Sequence, residues 1–478
     1  MPPNVLLVVM DSVRARNTSL HGHVNDTTPA LRDFAAKSTV YEQARAPSSW
    51  SLPSHTSILT GSHVAEHGLI GTDQKLSPGN TVFEELASGG YATGVFSENP
   101  LLTRVDVGLK DGFDTVQGPQ NLLFPDAANP TEFVLTEGRR EYISYLRHAL
   151  THEKPVKSLL NGAATKAAWT YPTLVPDRLR ASSPASVYAD GFLGWLEDRD
   201  GPWAACINFM DAHLPYEPAE KHDQWGGARL RKMQGSLDDQ VWTFHGGDRP
   251  WWQLRALEAL YDGTIRQIDA QVERLVSELE ARGELDDTLV VVTADHGEGF
   301  GERSELRDVR VAGHGIGVDE VLLHVPLVVK YPGQSEGERV TIPASLVEFP
   351  DVVRAAVDGE RYGFAPDGPV LASANDIMES TKENARGYVA DLEPYTGETM
   401  ASYAEEDGTV RKRTVWRDRA AEFTVVDAQT AFQSGETDSS VVVEAFERLP
   451  ERGLTESAAG LGDADGDTRQ RLEDLGYM

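Results

Sequence analysis

An α/β fold, a layered sheet flanked by helices, is expected from three features of the sequence. The runs NVLLVVM (4–10), WAACINF (203–209), LVVVT (289–293) and VPLVVKY (325–331) are apolar without alternation, the pattern of strands buried on both faces. Helical patterns lie between them, which points to strand–helix–strand crossovers and a layered sheet. The first three runs also give way to polar residues at their carboxyl ends: Asp11, then Asp211 and His213, then Asp295 and His296.

Taken in order, Asn4–Met10 is the first buried strand. A helix is expected over 27–38, with Thr27 or Thr28 as cap and Pro29 in the first turn. A strand-like region runs toward Trp50, and Pro53 fits the first turn of a helix starting near Ser51. Residues 81–88 form a helix stopped by Gly89-Gly90, and ATGVFSEN (92–99) is a strand. A polar, proline-containing stretch at about 119–200 lacks strand patterns and is expected to be a helix-rich insertion. The clearest helix is 250–283, where Leu257, Leu260, Ile268, Val272, Leu275 and Leu279 recur at three- and four-residue spacings and Gly283 closes the run. Beyond about 355 the character changes. GPVLASA, RGYVADL and AAEFTVVDA read as short strands with charged turns. The expected organisation is a large α/β domain over 1–355 and a small C-terminal α+β subdomain over 356–478.

Composition narrows the class. The 478 residues carry 44 basic and 75 acidic side chains, a net charge of −31, and only 11 of the basic residues are lysines. An acidic, lysine-poor surface suits a salt-rich, screened cytoplasm, so a halophilic source is expected. The same charge argues against nucleic acid as a partner, since phosphate binding needs a basic face. The single cysteine, Cys206, excludes an internal disulfide and a zinc–cysteine site, and its apolar run makes a buried thiol the expectation. No signal-peptide pattern and no run of about 20 apolar residues is present, so a soluble, cytoplasmic protein without a transmembrane segment is expected. The oligomeric state is not legible.

In open α/β sheets ligands bind beyond the strand carboxyl ends. A single aspartate there is ordinarily a helix cap, but five polar strand-end residues together point to a site. Asp11, Asp295 and His296, with the Ser51 hydroxyl, are a permissive mixed oxygen and nitrogen set for one divalent ion, calcium, manganese or magnesium, with zinc less suited. Ser51, at the amino end of a helix, is open to two readings: a plain cap, or a nucleophile made accessible by an adjacent metal. His55 is either a surface histidine or part of that site. The loop GHGIG (313–317) does not follow a strand and is not a dinucleotide fingerprint.

At this point the motifs resemble a family. SLPSHTSILTG is similar to the sulfatase signature C/S-x-P-S-R-x-x-x-L-T-G. LLVVMDSVRARNTSLHGH, VAEHG, FEELASGGYATGVFSEN, GLKDGFD, INFMDAHLPYEP, VVVTADHGEGFGE, AGHGIGVDEVLLHVPLVV and SLVEFPDVV follow in the family's order over about residues 3–355, and RLEDLGYM is a common ending. The resemblance implies an alkaline-phosphatase-like fold and a metal-dependent hydrolase. It implies that Asp11, Asp295 and His296 bind the cation, with Ser51 as nucleophile and fourth ligand. His213 and His314 would contact the anionic head or protonate the leaving oxygen, and His55 stands where most members carry an arginine that steadies the nucleophile.

Three departures refine this. Ser12 replaces a second aspartate. SENP replaces a lysine–tryptophan–histidine element, leaving Asn99 as the candidate substitute for substrate contact. His55 replaces the arginine that normally accompanies conversion of the nucleophile to formylglycine, so Ser51 is expected to remain serine. The expected function is hydrolysis of an anionic (sulfuric) ester of a small molecule, glycan or lipid head group through Ser51. The alternatives are a phosphodiesterase or phosphoglycerol or phosphoryl transferase on the same scaffold, and a non-catalytic binding protein on a decayed scaffold.

Overall fold

A computed structural model of the chain describes residues 2–119, 122–124, 127–128, 130, 133, 142–170, 184–237, 241–450, 452–458, 460, 468–469 and 472. Eight strands form the main sheet. Their order across it is Glu338–Ser345, Thr39–Arg45, Leu327–Lys330, Thr288–Thr293, Asn4–Met10, Trp203–Phe209, Ala92–Ser97 and Thr115–Gln117. Asn4–Met10 pairs in parallel with strands on both sides, while Leu327–Lys330 runs antiparallel to both of its neighbours. The sheet is therefore mixed. Each of residues 5–10 is at most 1% exposed, which is why this strand carries no alternation.

Register places the polar strand ends. Val9 lies opposite Asn208 on one side and Thr293 on the other. Continuing two residues past Val9 and Thr293 sets Asp11 beside Asp295.

The helix Trp251–Ala281 packs on the sheet through the expected stripe, with Leu257, Leu260, Ile268, Val272, Leu275 and Leu279 all buried. Its polar face also does structural duty. The Asp269 carboxylate accepts from the backbone N–H groups of Ala30 and Leu31, both at 2.9 Å, and so caps the helix Pro29–Phe34. Thr81 and Glu84 form a capping box at the helix Val82–Ser88.

The described parts of the 119–200 stretch after the edge strand are largely helical: Tyr142–Thr151, Pro155–Thr170 and Ala185–Glu197. Residues 134–141 and 171–183 lie outside the described residues, as does the RLEDLGYM ending apart from Leu472. Among the described residues, no helix is long and apolar enough to cross a membrane.

A second, antiparallel sheet follows, ordered Val370–Ala374, Thr399–Glu406, Thr409–Trp416, Arg419–Val425 and Ala431–Gly435, with the helix Ser439–Glu447 beside it. GPVLASA and AAEFTVVDA supply strands as expected. RGYVADL does not: it leaves the helix Glu379–Ala385 through a turn, and Val389 packs against Trp242 rather than in a sheet. The strands Glu338–Ser345 and the hairpin Gly299–Arg303/Arg310–Gly313 carry no apolar run and were not legible in the sequence.

This second sheet meets the first through buried charge. Lys412, fully buried, reaches Glu305 at 2.5 Å and Glu320 at 3.2 Å; Arg45 pairs with Glu320 at 3.0 Å, and the Tyr403 hydroxyl donates to Glu320 at 2.7 Å. Burial opposes the charge on Lys412, but Glu305, Tyr403 and Glu320 raise its pKa well above the ordinary lysine range.

The net charge of −31 makes the folded state sensitive to screening. Raising KCl from about 0.1 M to about 2 M should raise the melting temperature by several degrees as self-repulsion is screened. A flat or falling melting temperature in that titration would contradict the halophilic reading.

Candidate active site

The helix Ser51–Thr60 follows the strand Thr39–Arg45, which lies second from one edge of the main sheet. Ser51 is its first helical residue. The cap position is Trp50, in extended conformation at φ −155°, ψ 163°, with no side-chain cap bond. The plain-cap reading of Ser51 is thereby replaced: its hydroxyl turns into the sheet end instead. Ser51 Oγ lies 2.8 Å from Asp295 Oδ2, 3.2 Å from His296 Nε2 and 3.5 Å from Asp11 Oδ2. All four residues are fully buried, and potential ligand atoms of Asp11, Asp295 and His296 lie within 4.8 Å of one another.

The surrounding bonds orient this set. His296 Nδ1 donates to the Gly297 carbonyl at 2.9 Å, which leaves Nε2 with its lone pair facing Ser51. Asp295 Oδ1 accepts from the backbone N–H groups of His296 (3.0 Å) and Ser12 (3.2 Å). Ser12 has φ +61°, a left-handed conformation unfavourable for a non-glycine residue. It is held there from both sides: its hydroxyl donates to Asp11 Oδ1 at 2.9 Å, and its carbonyl accepts from the buried Tyr261 hydroxyl at 2.8 Å. Burial opposes ionisation of Asp295, yet His296, His55 and the donors Ser51 and Ser12 bring its carboxyl below the usual aspartate range.

The set suits a cation on its own chemistry. One hydroxyl proton cannot satisfy two carboxylates and an imidazole lone pair at once. No lysine or arginine among the described residues pairs with either carboxylate. Two carboxylates, one imidazole and one hydroxyl fit a divalent ion.

His55 is not a surface histidine. It is 1% exposed; its Nδ1 lies 2.9 Å from the Ser51 carbonyl and 3.4 Å from Asp295 Oδ2. One turn along the helix, its ring reaches the backbone carbonyl of Ser51. His213 and His314 stack edge to face at 5.0 Å between ring centroids, and His314 lies 4.4 Å from the His296 ring. His314 Nδ1 is 3.1 Å from Glu298 Oε2. Burial disfavours the Glu298 carboxylate, but His314, His213 and His296 around it lower its pKa below the ordinary value. Burial and the neighbouring His314 lower the pKa of His213.

Asn99 caps the short helix Pro100–Thr103 through Oδ1, which accepts from Leu101 N–H at 3.0 Å, while its Nδ2 has no hydrogen-bond partner among the described residues. It is linked to the metal-type cluster by a relay. Ser97 Oγ accepts from the Asn99 N–H and from Asn208 Nδ2, and Asn208 Nδ2 reaches Asp11 Oδ2 at 3.4 Å. Asp211 does not join the site. Its carboxylate accepts from Ala185 N–H at the start of the helix Ala185–Glu197 and from the Gln267 amide, the capping role a strand-end aspartate ordinarily has.

Sequence reasoning did not single out Asn208, Glu298 or Ser54, whose hydroxyl donates to the Asp295 carbonyl at 2.6 Å. Asn208 carried a signal: an amide inside an otherwise apolar strand needs a buried partner. Cys206 is buried as expected, its thiol pushed up to about 12 by burial.

The mixed main sheet, its flanking helices and the second antiparallel sheet make an alkaline-phosphatase-like fold. The sequence profile of the Sulfatase family matches residues 3–356, and the chain belongs to that family. It is 22% identical to an arylsulfatase of Clostridium perfringens over 422 residues, covering 81% of each chain. It is 26% identical to the steryl-sulfatase of Mus musculus over 452 residues, covering 80% of this chain and 66% of the relative. Among solved structures, the phosphonate monoester hydrolase of Agrobacterium radiobacter shares the fold with a TM-score of 0.58 at 17% identity, covering 100% of this chain and 96% of that one.

Proposed function

We propose that the protein hydrolyses an anionic ester by in-line attack of Ser51 Oγ, with Asp11, Ser51, Asp295 and His296 as the ligands of one divalent cation, calcium, manganese or magnesium. The observation that carries this reading is the Ser51 hydroxyl facing three acceptors that its single proton cannot satisfy. A cation bound there lowers the hydroxyl pKa and offsets charge on the reacting oxygens.

The remaining roles fall to the chain's own groups. His55 holds the Ser51 carbonyl and so fixes the direction of attack. The amino end of the helix Ser51–Thr60 favours an anionic head group. The unpartnered Asn99 amide donates to that head group. His314, positioned by Glu298, delivers a proton to the leaving oxygen, with His213 beside it. Ser51 is left covalently esterified, and water then releases the acid. The arylsulfatase and steryl-sulfatase relatives support a sulfuric ester as substrate. The intact cluster speaks against a decayed, non-catalytic scaffold.

The second reading, phosphodiester hydrolysis or phosphoryl transfer to an alcohol, is favoured by His55 in place of the arginine that accompanies formylglycine. The two readings separate on one experiment. Intact-protein mass establishes whether position 51 is serine or the aldehyde, which lacks two hydrogens. A serine sulfate has no adjacent hydroxyl to expel sulfate, whereas a serine phosphate can be attacked in line by water or an alcohol. With plain Ser51, an aryl sulfate should give a burst near one equivalent followed by slow turnover, and an aryl phosphodiester should turn over steadily. Rapid steady sulfate release from protein carrying plain Ser51 would remove the phosphoryl reading.

A further inference from the structure

The turn that follows the central strand is built on an unfavourable residue. Asn4–Met10 runs into a turn closed by the Val13 N–H, which donates to the Met10 carbonyl at 3.1 Å, with Asp11 and Ser12 at the two middle positions. Ser12 takes φ +61° at the second of these, where glycine is ordinarily found. Three other non-glycine residues among those described have positive φ, Asp308, Asp407 and Arg417, and all three are exposed. Ser12 is fully buried.

Its bonds show what the serine does there. The Ser12 hydroxyl donates to Asp11 Oδ1 at 2.9 Å, and its backbone N–H donates to Asp295 Oδ1 at 3.2 Å. One residue thus engages one oxygen of each carboxylate. The other oxygen of each, Oδ2, is the one that faces Ser51 Oγ, at 3.5 Å from Asp11 and 2.8 Å from Asp295. A glycine in this turn would keep the N–H bond and lose the bond to Asp11.

Tyr261, on the helix Trp251–Ala281, holds the turn from behind. Its buried hydroxyl accepts from the Arg14 N–H at 3.0 Å and donates to the Ser12 carbonyl at 2.8 Å. These two bonds staple the peptide groups on either side of Val13 to the helix and keep Ser12 in the turn.

We propose that Ser12, clamped by Tyr261, is a positioning residue that limits Asp11 and Asp295 to one ligand oxygen each, and so turns the site toward manganese and away from calcium. This rests on the cation site proposed above and narrows its occupant. Calcium takes roughly six to eight oxygen ligands and often both oxygens of a carboxylate. With each Oδ1 engaged, Asp11, Asp295 and Ser51 offer one oxygen apiece, and His296 adds a nitrogen. A smaller cation that accepts imidazole is better matched to that set.

The test is isothermal titration of the metal-stripped full chain with manganese and, separately, with calcium. Wild type should bind manganese about tenfold or more tightly than calcium. Ser12→Gly frees Asp11 Oδ1 and suits the positive φ, so the fold should hold or gain stability. Tyr261→Phe removes one hydroxyl and keeps the ring. Each variant, its fold checked by circular dichroism, should lose about tenfold or more in manganese affinity while calcium affinity stays level or rises. A merely structural role would weaken both ions in parallel. An unchanged manganese-to-calcium ratio in either folded variant therefore overturns the proposal, as does a wild type that binds calcium as tightly as manganese. A wild type that binds neither ion removes the cation site itself, and the inference with it.

Discussion

Ser51→Ala should abolish turnover, by on the order of 10⁴-fold or more, while leaving the protein folded. The alanine removes the single oxygen that faces Asp11, Asp295 and His296 and changes nothing else at the start of the helix, because Ser51 does not act as its cap. The helix start depends on Trp50 in extended conformation and on the backbone, so far-ultraviolet circular dichroism and the melting temperature should stay within a few degrees of wild type. The divalent ion should still bind, more weakly, through three remaining ligands. Substantial residual turnover by the alanine variant on the substrate that the wild type prefers would exclude covalent catalysis by Ser51. It would move the reaction to a water held in the same cluster.

Asp295→Asn should separate metal binding from fold in the other direction. The amide preserves shape and can still accept from the Ser12 and His296 N–H groups, but it removes a full charge from the ligand set. Affinity of a hard cation follows ligand charge, so binding should weaken by about 100-fold or more. Activity should fall by about 10³-fold at ordinary metal concentration and recover in part at high metal. Isothermal titration with manganese reads the first effect and a metal-dependence of initial rate reads the second. Wild-type manganese affinity in the folded variant would show that Asp295 is not a ligand.

Much of the site was legible because it sits at strand ends. Asp11 and Asp295 follow apolar runs with no alternation, and parallel pairing in register then sets them side by side. The Ser51 helix was legible from Pro53, but the direction of its side chain was not. Whether a serine at a helix start caps or faces inward depends on whether the preceding residue already occupies the cap position, and here Trp50 does. Asn208 and the strained Ser12 were hidden because their partners come from segments about 200 to 280 residues away or from a backbone angle that local sequence does not encode, and Glu298 because its pairing with His314 runs across a hairpin that no apolar pattern marks. The same holds for Asp211, whose capping of a helix 26 residues upstream is a tertiary contact. The strand Glu338–Ser345 escaped notice because it lies at the sheet edge: its first residues are exposed and polar, so no apolar run marks it. RGYVADL failed for the opposite reason, being apolar enough for a strand but used to cover Trp242.

The position of Asn4–Met10 in the middle of the main sheet also sets a timetable for biosynthesis. This segment is translated well before its two neighbours, Trp203–Phe209 and Thr288–Thr293. Until about 200 further residues have been translated, a fully apolar strand has neither edge paired. The nascent chain is then exposed to the mispairing that open strand edges invite. The loops that must close are long, so assembly of the sheet is slow relative to local helix formation. Under the proposed mechanism, which uses Asp11, Ser51 and Asp295 together, hydrolytic activity emerges only after this assembly and reports on its completion.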